Sequence, residues 1–195
     1  MNISVNATTH TFHLYNNDIS YIMTVLPNGQ MGQLYFGRKV HERDDYSYLI
    51  EVRSRPMTAC VFDTDKCFSM EHLKQEYAVF GSTDYRSPAT ELLQNNGSRI
   101  AEFVFQDYRI ENGKPSLEGL PATYTESENE ARTLVIGLAD PLTQIRLELL
   151  YTIFEKGGII TRSARFINNG KEDVHLTTAM SLCMDLPGSD YDWIQ

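Results

Sequence analysis

Apolar and polar residues alternate along most of this 195-residue chain, and that period of two limits what it can fold into more than any other feature. The clearest stretch covers residues 131–170, ARTLVIGLADPLTQIRLELLYTIFEKGGIITRSARFINNG, and similar patterns occupy residues 11–37, 89–117 and 174–186. Successive side chains of a β-strand point to opposite faces, so this pattern gives each strand one apolar face. The sequence therefore predicts an all-β chain.

Short groups of turn-forming residues separate the predicted strands. They are PNG (27–29), NNG (95–97), NG (112–113), ADP (139–141), KGG (156–158) and NNG (168–170). The NNG at 95–97 is a hairpin signal. Turns spaced by roughly 10 to 16 residues are typical of an antiparallel sandwich. We predict one large antiparallel domain over residues 1–195, with long loops and at most one or two short helical turns.

Two segments depart from the alternation. Residues 69–77, SMEHLKQEY, have weak helical spacing, and Ser69 is placed to cap a single helical turn. Residues 38–67 have the least regular pattern and two clusters of charge. We interpret this second segment as a long excursion that contains one strand, SYLIEV, at residues 47–52.

Charge and composition exclude several classes of protein. The chain has 17 basic and 26 acidic residues, a net charge of −9, and no basic run longer than a pair. Nucleic acids and anionic membrane surfaces need clustered Lys and Arg, so neither is an expected partner. No segment approaches the roughly 20 apolar residues that span a bilayer. The amino end lacks the features of a signal peptide, which favours a cytoplasmic protein.

Three cysteines, at positions 60, 67 and 183, are an odd number without metal-type spacing. Cys60 and Cys67 could form a disulfide, but buried free thiols fit a cytoplasmic chain better. We therefore expect all three thiols to be free.

The sequence offers no catalytic centre, metal site or cofactor motif. Asp190 and Asp192 would share a face on a strand, although a solvated loop is the better interpretation. Asp63 and Asp65 have the spacing that opens a calcium loop, but the continuation that such a loop requires is absent. The five histidines are scattered, and there is no phosphate loop or nucleophile elbow. No cofactor is expected.

Aromatic residues are unusually placed in residues 76–89, EYAVFGSTDYRSPA, where Tyr77, Phe80 and Tyr85 stand among loop-forming residues. Aromatic rings stack on the apolar faces of sugars, and they also fill the cores of sandwiches. This segment therefore either lines a sugar-sized pocket or forms a corner that buries its own rings.

Several motifs, in order along the chain, resemble the amino-terminal part of bacterial α-galactosidases of glycoside hydrolase family 36. They are EYAVFGSTDYRSPA, NNGSRIAEFVFQDYRIENGKPSLEGLPATY, YTIFEKGGIITRSARFINNG and LPGSDYDWIQ. The resemblance covers nearly the whole chain and is strongest after residue 76 and in YIMTVLPNGQMGQLYFG. Residues 41–67 are hard to place, and Ala78 stands where the family pattern has Pro. The resemblance favours the corner, with inward rings and Asp84 and Arg86 available for a buried ion pair.

The resemblance implies a large β-supersandwich that packs on a (β/α)8 barrel. In this family the barrel holds two catalytic aspartates, which perform retaining hydrolysis of terminal α-galactosides such as melibiose and raffinose. No residue of this chain matches either aspartate's motif, so the chain itself is expected to be inactive and to precede the barrel. The resemblance also implies a homotetramer, in which a loop of this domain reaches a neighbour's active site.

Glu51, Arg53 and Arg55 in LIEVRSRP are candidates for that loop, since charged groups hydrogen-bond sugar hydroxyls. A solvated loop is the alternative for these three residues. Other functions remain open: an independent galactoside-binding module, or the front domain of an α-N-acetylgalactosaminidase or a raffinose synthase-like enzyme. A mutarotase-like sandwich enzyme would need a His and a Glu facing each other in a cleft, and no spacing in the sequence demands this.

Overall fold

The computed structural model describes residues 1–54, 59–81, 85–119 and 122–186. Within this part of the chain lie ten strands: β1 (Asn2–Asn6), β2 (Thr11–Tyr15), β3 (Ile19–Val25), β4 (Met31–Arg38), β5 (Thr90–Gln94), β6 (Val104–Asn112), β7 (Ala131–Ala139), β8 (Ile145–Phe154), β9 (Ile160–Asn168) and β10 (Val174–Ala179). Two short 3-10 turns, Ser47–Leu49 and Glu128–Glu130, are the helical elements of the same residues.

The strands form two four-stranded sheets and one two-stranded sheet. Their orders are β1-β2-β3-β4, β6-β7-β8-β9 and β10-β5, and all the strand pairs are antiparallel. The all-β antiparallel prediction is therefore confirmed. The two larger sheets contribute to one apolar cluster, in which Phe12 and Leu14 of β2 lie with Leu134 of β7 and Leu147 of β8.

Period-two alternation explains how this core is filled. Leu147, Leu149, Tyr151 and Ile153 of β8 all enter the core, because alternate residues of a strand share a face. The opposite face of β8 carries polar residues, among them Thr152, whose hydroxyl lies 2.8 Å from that of Thr133 on β7. Burying apolar area is worth roughly 25 cal/mol per Å², so this shared face holds the sheets together.

Most predicted turns connect strands as expected. Gly29, between β3 and β4, and Gly157, between β8 and β9, have φ angles of +84° and +72°. These angles lie in the left-handed region that glycine adopts without a steric cost. Between β7 and β8, the carboxylate of Asp140 accepts hydrogen bonds from Leu142 N (3.0 Å) and Thr143 Oγ1 (2.9 Å). Such side-chain bonds to nearby groups are typical of Asp in a turn.

The hairpin predicted at residues 95–97 is wrong, although the turn itself is present. Gly97 N donates to Gln94 O at 2.9 Å, but β5 then pairs with β10 and not with β6. After the turn the chain leaves the sheet because Ala101 and Phe103 enter the core. The local turn signal is correct, and packing decides which strand becomes the partner.

The strand predicted at residues 47–52 is also wrong. Ser47–Leu49 is a 3-10 turn, because the carboxylate of Asp45 accepts bonds from Ser47 N (2.7 Å) and Ser47 Oγ (2.8 Å). Local side-chain bonds of this kind compete with extended structure. Residues 69–77 contain no helix, but residues 70–72 form a turn in which Ser69 Oγ accepts a hydrogen bond from Glu71 N at 3.3 Å, as predicted for Ser69. There, Gln33 N donates to Lys74 O and Glu76 N donates to Met31 O, so the backbone runs beside β4.

We predicted that the rings of Tyr77, Phe80 and Tyr85 pack inward, and this is correct for one of the three. Tyr77 is buried, whereas Phe80 and Tyr85 are 43% and 81% exposed. Gly81 has a φ of +91°, and the chain turns at this residue. Asp84 lies outside the described residues, while Arg86 forms an ion pair with Asp185 at 2.6 Å.

All three cysteines are free, as predicted, but they are half-buried rather than buried. Within the described ranges, no helix has the length and apolar character needed to cross a bilayer.

Candidate functional site

Two of the three rim residues predicted from the sequence, Glu51 and Arg53, are in contact. Arg53 Nε forms an ion pair with Glu51 Oε1, and Arg53 is the more exposed of the two. Glu51 also lines a groove of about 220 Å³ between β4 and residues 73–74. Arg55 lies outside the described residues. The Glu51–Arg53 pair presents hydrogen-bonding groups with no net charge, which suits contact with a neutral sugar and equally suits a solvated loop.

The segment that leads to Glu51 is anchored by Tyr46, whose side chain is buried. Its hydroxyl accepts a hydrogen bond from Arg43 N at 2.9 Å and donates to His41 O at 3.2 Å. The same hydroxyl lies 3.1 Å from His13 Nδ1 on β2. The ring of Tyr46 packs with Ile22 in a small apolar cluster. Tyr46 therefore fixes this irregular segment against the first sheet.

His13 and Glu42 lie beside each other in a cleft of about 320 Å³, an arrangement that sequence reasoning did not find. Both ring nitrogens of His13 are engaged, Nε2 with Ser20 Oγ at 2.9 Å and Nδ1 with Tyr46. Burial lowers the pKa of His13, and the nearby Glu42 partly offsets this. The imidazole is therefore neutral at pH 7, with both nitrogens turned to protein partners.

Glu42 is occupied in the same way. Its carboxylate accepts hydrogen bonds from Ser4 Oγ and from Tyr15 OH, the latter at 3.1 Å. The bond from Ser4 lowers the pKa of Glu42. Glu42 is exposed to the cleft, but His13 has no free ring nitrogen with which to exchange a proton with a substrate. The geometry of this cleft gives the mutarotase-like alternative no support.

Glu76 is the centre of a buried polar cluster that the sequence analysis missed. Its Oε1 accepts hydrogen bonds from Tyr21 OH and Tyr151 OH, each at 2.8 Å, and lies 2.8 Å from Arg162 Nη2. The carboxylate is fully buried, and the side chain of Arg162 is only 7% exposed. Burial raises the pKa of Glu76, while Arg162 and the two hydroxyls oppose the rise.

A signal for this cluster was present in β9. Ile160, Ala164 and Phe166 share the strand face that packs on the core, and Arg162 occupies the same face. A charged residue at an apolar position of an alternating strand needs a buried partner of opposite charge. Glu76 is that partner.

Arg162 ties four parts of the chain together. Besides Glu76 and the two tyrosines, its guanidinium donates to Cys183 O at 3.2 Å. It therefore links both large sheets, the corner segment and the residues that follow β10. The carboxylate of Glu76 is enclosed, whereas Arg162 and Tyr21 also line a groove of about 340 Å³ at the surface. Because the polar groups of the cluster bond to one another, they hold the fold together.

A second charged cluster covers the outer face of the β6-β7-β8-β9 sheet. Glu148, whose side chain is 5% exposed, pairs with Arg109 (2.9 Å), Arg146 (3.3 Å) and Arg165. Burial opposes ionisation of Glu148, but hydrogen bonds from Arg109 and Arg165 outweigh it and lower its pKa to about 2. Arg146 also pairs with Asp107 at 2.7 Å. Because every charge here already has a protein partner, the face is not a ready anion site.

The described residues contain no group of three or more His, Cys, Asp or Glu side chains that could hold a metal ion. Asp190 and Asp192 lie outside the described part of the chain.

Comparison with known families gives a match over most of the sequence. The model of the glycosyl hydrolase family 36 N-terminal domain matches residues 29–195. Alpha-galactosidase AgaA of Geobacillus stearothermophilus is 40% identical over 199 residues, which cover 100% of this chain and 26% of that protein. Alpha-galactosidase 1 of Pediococcus pentosaceus is 36% identical and covers 98% of this chain and 26% of its own.

Comparison with solved structures gives the same family of proteins. The α-galactosidase from Lactobacillus brevis superposes with a TM-score of 0.89 at 36% identity, covering 92% of this chain and 24% of that one. A variant of AgaA from Geobacillus stearothermophilus in complex with raffinose gives a TM-score of 0.83 at 39% identity, with 88% and 24% covered. The chain thus spans about a quarter of the length of the proteins it matches.

Proposed function

Since the chain belongs to the family of glycosyl hydrolase family 36 N-terminal domains, we propose that it is the non-catalytic amino-terminal domain of an α-galactosidase. The whole enzyme would hydrolyse terminal α-galactosides such as melibiose and raffinose in the cytoplasm. The observation that carries this proposal is the full-length match to a region that makes up about a quarter of named α-galactosidases.

The state of the buried carboxylates supports a non-catalytic role. A retaining glycosidase needs two carboxyl groups about 5 Å apart in an open site, one as nucleophile and one as acid/base. Glu76 is enclosed in the core and bonded to Arg162 and two tyrosines, and Glu148 is held by three arginines. The catalytic pair is therefore proposed to lie in a (β/α)8 barrel elsewhere in the same polypeptide.

An apolar strip after β10 is the surface that we propose packs on this barrel. The strip consists of the large exposed side chains of residues 180–186, namely Met180, Leu182 and Leu186, each between 42% and 50% exposed. Beside it, Phe36 of β4 and Ile160 of β9 line a groove of about 340 Å³ together with Leu182. Contiguous exposed apolar surface of this kind marks an interaction site.

The backbone of the strip is held in place although its side chains are exposed. Tyr77 OH donates to Met180 O at 2.7 Å, and Asp185 N donates to Gln33 Oε1 at 3.0 Å. Arg162 adds its bond to Cys183 O. A surface that is ordered before it docks loses less conformational entropy on association, which favours a stable contact between domains.

We also propose how the whole enzyme assembles and which residues of this chain lie at an active-site rim. We place Glu51, Arg53 and Arg55 at the edge of a neighbouring subunit's pocket in a homotetramer. The anchoring of this segment by Tyr46 and the exposure of Arg53 support that position. The aliphatic and charged groups of the rim would contact the sugar, while the barrel performs the chemistry.

The direct test is an assay of the full-length polypeptide on chromogenic substrates. We expect it to hydrolyse an aryl α-galactoside and to release galactose from raffinose. An aryl α-N-acetylgalactosaminide serves as the control substrate, and a sucrose-dependent transfer assay detects a raffinose synthase-like activity. A preference for either of these over the α-galactoside would contradict the proposal.

A further inference from the structure

Three loops meet at one end of the sandwich and enclose a cleft of about 640 Å³. They are the β5–β6 connection at residues 94–96, the β7–β8 connection at 142–144 and the β9–β10 connection at 169–174. Ligand sites for small molecules have volumes of roughly 300 to 1,000 Å³. The cleft is therefore large enough for a disaccharide, and it does not involve the rim segment or the apolar strip.

The lining of this cleft combines apolar surface with polar side chains. It includes the side-chain amides of Asn95, Asn96, Gln144 and Asn169, and the exposed apolar side chain of Leu142. Amides both donate and accept hydrogen bonds, as sugar hydroxyls do. A saccharide also has apolar ring faces, for which an exposed leucine offers a contact. Asn96 Oδ1 already accepts a hydrogen bond from Ser98 N, and Gln144 Nε2 donates to Pro141 O. The remaining donor and acceptor positions of these amides, and the whole amide of Asn169, match a hydroxyl-rich neutral ligand.

The charges in the cleft disfavour anionic ligands. Glu172 and Asp173 contribute two carboxylates and Lys171 contributes one ammonium group. The local net charge is negative, so a phosphate or nucleotide would be repelled. Within the part of the chain that the structure describes, the side chains of Asn169, Lys171 and Asp173 make no hydrogen bond or ion pair, which leaves them available to a ligand.

The loops are held in one arrangement before any ligand binds. Asn95 Nδ2 donates to Glu172 Oε2 at 3.0 Å, which joins the first loop to the third. Asn169 N donates to Gln144 O at 3.3 Å, which joins the third loop to the second. Gln144 has a φ of +60°, an uncommon value for a residue other than glycine. Residues held in such conformations occur often at ligand sites.

The cleft and the apolar strip lie at opposite ends of the β5–β10 pair. Gln94 pairs with Val174 at the cleft, and Thr90 pairs with Ala179 where the strip begins. The length of β10 therefore separates the cleft from the strip.

We propose that this loop cleft is a saccharide-binding site, which takes a neutral di- or trisaccharide through its amide side chains. The side chains of the cleft support this proposal on their own, and it does not require the proposed function. A site of this kind would concentrate the protein on oligosaccharides without taking part in hydrolysis.

The test is a titration of the 195-residue chain with raffinose, sucrose and galactose, separately, at millimolar concentrations and followed by heteronuclear NMR. We expect saturable shifts of the backbone amides of Asn96, Gln144 and Gly170 with at least one of these sugars. Asn169→Ala should weaken binding by about tenfold, as expected for the loss of a polar contact. Asn17→Ala, an exposed asparagine outside the cleft, is the matched control and should bind normally.

Absence of saturable shifts with all three sugars would overturn the proposal. So would shifts that map outside the cleft, or equal affinity of Asn169→Ala and the unaltered chain. The spectra themselves report whether each variant is folded. Because the activity assay of the full-length polypeptide is separate, failure of this site would leave the proposed enzymatic function intact.

Discussion

Glu76 and Arg162 form an ion pair in the centre of the protein, with 2.8 Å between Glu76 Oε1 and Arg162 Nη2. The two residues are 86 positions apart and come from different structural layers. Through Tyr21 and Tyr151 the pair connects the two large sheets, and through Cys183 O it holds the strip that we propose docks on a barrel. Several predictions about stability and docking depend on this pair and its neighbours.

Replacing Glu76 by Gln should strongly destabilise the chain. The substitution keeps the size of the side chain but leaves the Arg162 charge buried without a counter-ion, and such losses cost about 3–5 kcal/mol. The measurement is the free energy of unfolding from a denaturant titration. The control is Glu111→Gln on the exposed Glu111–Arg109 pair, where a loss below about 1 kcal/mol is expected.

The double variant Glu76→Gln, Arg162→Met separates the two contributions. Removing both charges should recover much of the stability lost in Glu76→Gln, since a buried charge is no longer left unpaired. Equal stability of Glu76→Gln and the Glu111→Gln control would show that the pair does not hold the core.

Replacing Tyr46 by Phe should loosen the segment that carries Glu51. The ring remains, but Arg43 N loses the acceptor to which it is bonded, at a cost of about 1–3 kcal/mol. Hydrogen exchange of the amides in residues 41–50 measures the effect directly, and we expect faster exchange there. Tyr48→Phe is the control, because Tyr48 is 64% exposed. Unchanged exchange in Tyr46→Phe would contradict the anchoring role.

Glu148 should make the stability of the chain sensitive to acid. Its pKa in the folded state is about 2, below its ordinary value of 4.5. A lowered carboxyl pKa gives a contribution that is complete above pH 4.5 and is lost as the pH falls from 4.5 towards 2. Unfolding free energies measured across this range should fall more steeply for the unaltered chain than for Glu148→Gln. Parallel curves would show that Glu148 is not the group responsible.

A charge introduced into the apolar strip should be tolerated in the 195-residue chain but should destabilise the full-length polypeptide. Leu182 is 49% exposed, so Leu182→Asp should change the unfolding free energy of the 195-residue chain by less than about 1 kcal/mol. In the full-length polypeptide the same change would bury a charge at the contact with the barrel, and the melting temperature should fall. His175→Asp, at an exposed polar position of β10, is the control. If both variants behave alike in the full-length polypeptide, the strip is not the docking surface.

Local patterns predicted the strands and turns well because their signals lie within a few residues. The alternation in β7, β8 and β9 and the glycines at 29 and 157 are examples. Strand pairing was less predictable. β5 pairs with β10, about 80 residues later, because Ala101 and Phe103 draw the intervening chain into the core. Such a choice depends on packing between distant segments, which no local pattern contains.

The polar clusters, too, could be predicted from the sequence only in part. Arg162 stood at an apolar position of β9, so a buried partner was foreseeable, but nothing local identified Glu76. The neighbours His13 and Glu42 come from a strand and an irregular segment, which is held to the first sheet by Tyr46 and by the bonds of Glu42 to Ser4 and Tyr15. The rim role of Glu51, Arg53 and Arg55 came from family resemblance and stays a prediction.

The account depends on the claim that this domain supports a catalytic centre located elsewhere in the polypeptide. The measurement that tests this most directly compares the 195-residue chain with the full-length polypeptide, at equal molar concentration, on a chromogenic α-galactoside. We predict turnover by the full-length polypeptide and none above buffer by the chain. Hydrolysis by the purified chain, abolished by a substitution among its own carboxylates, would contradict the account.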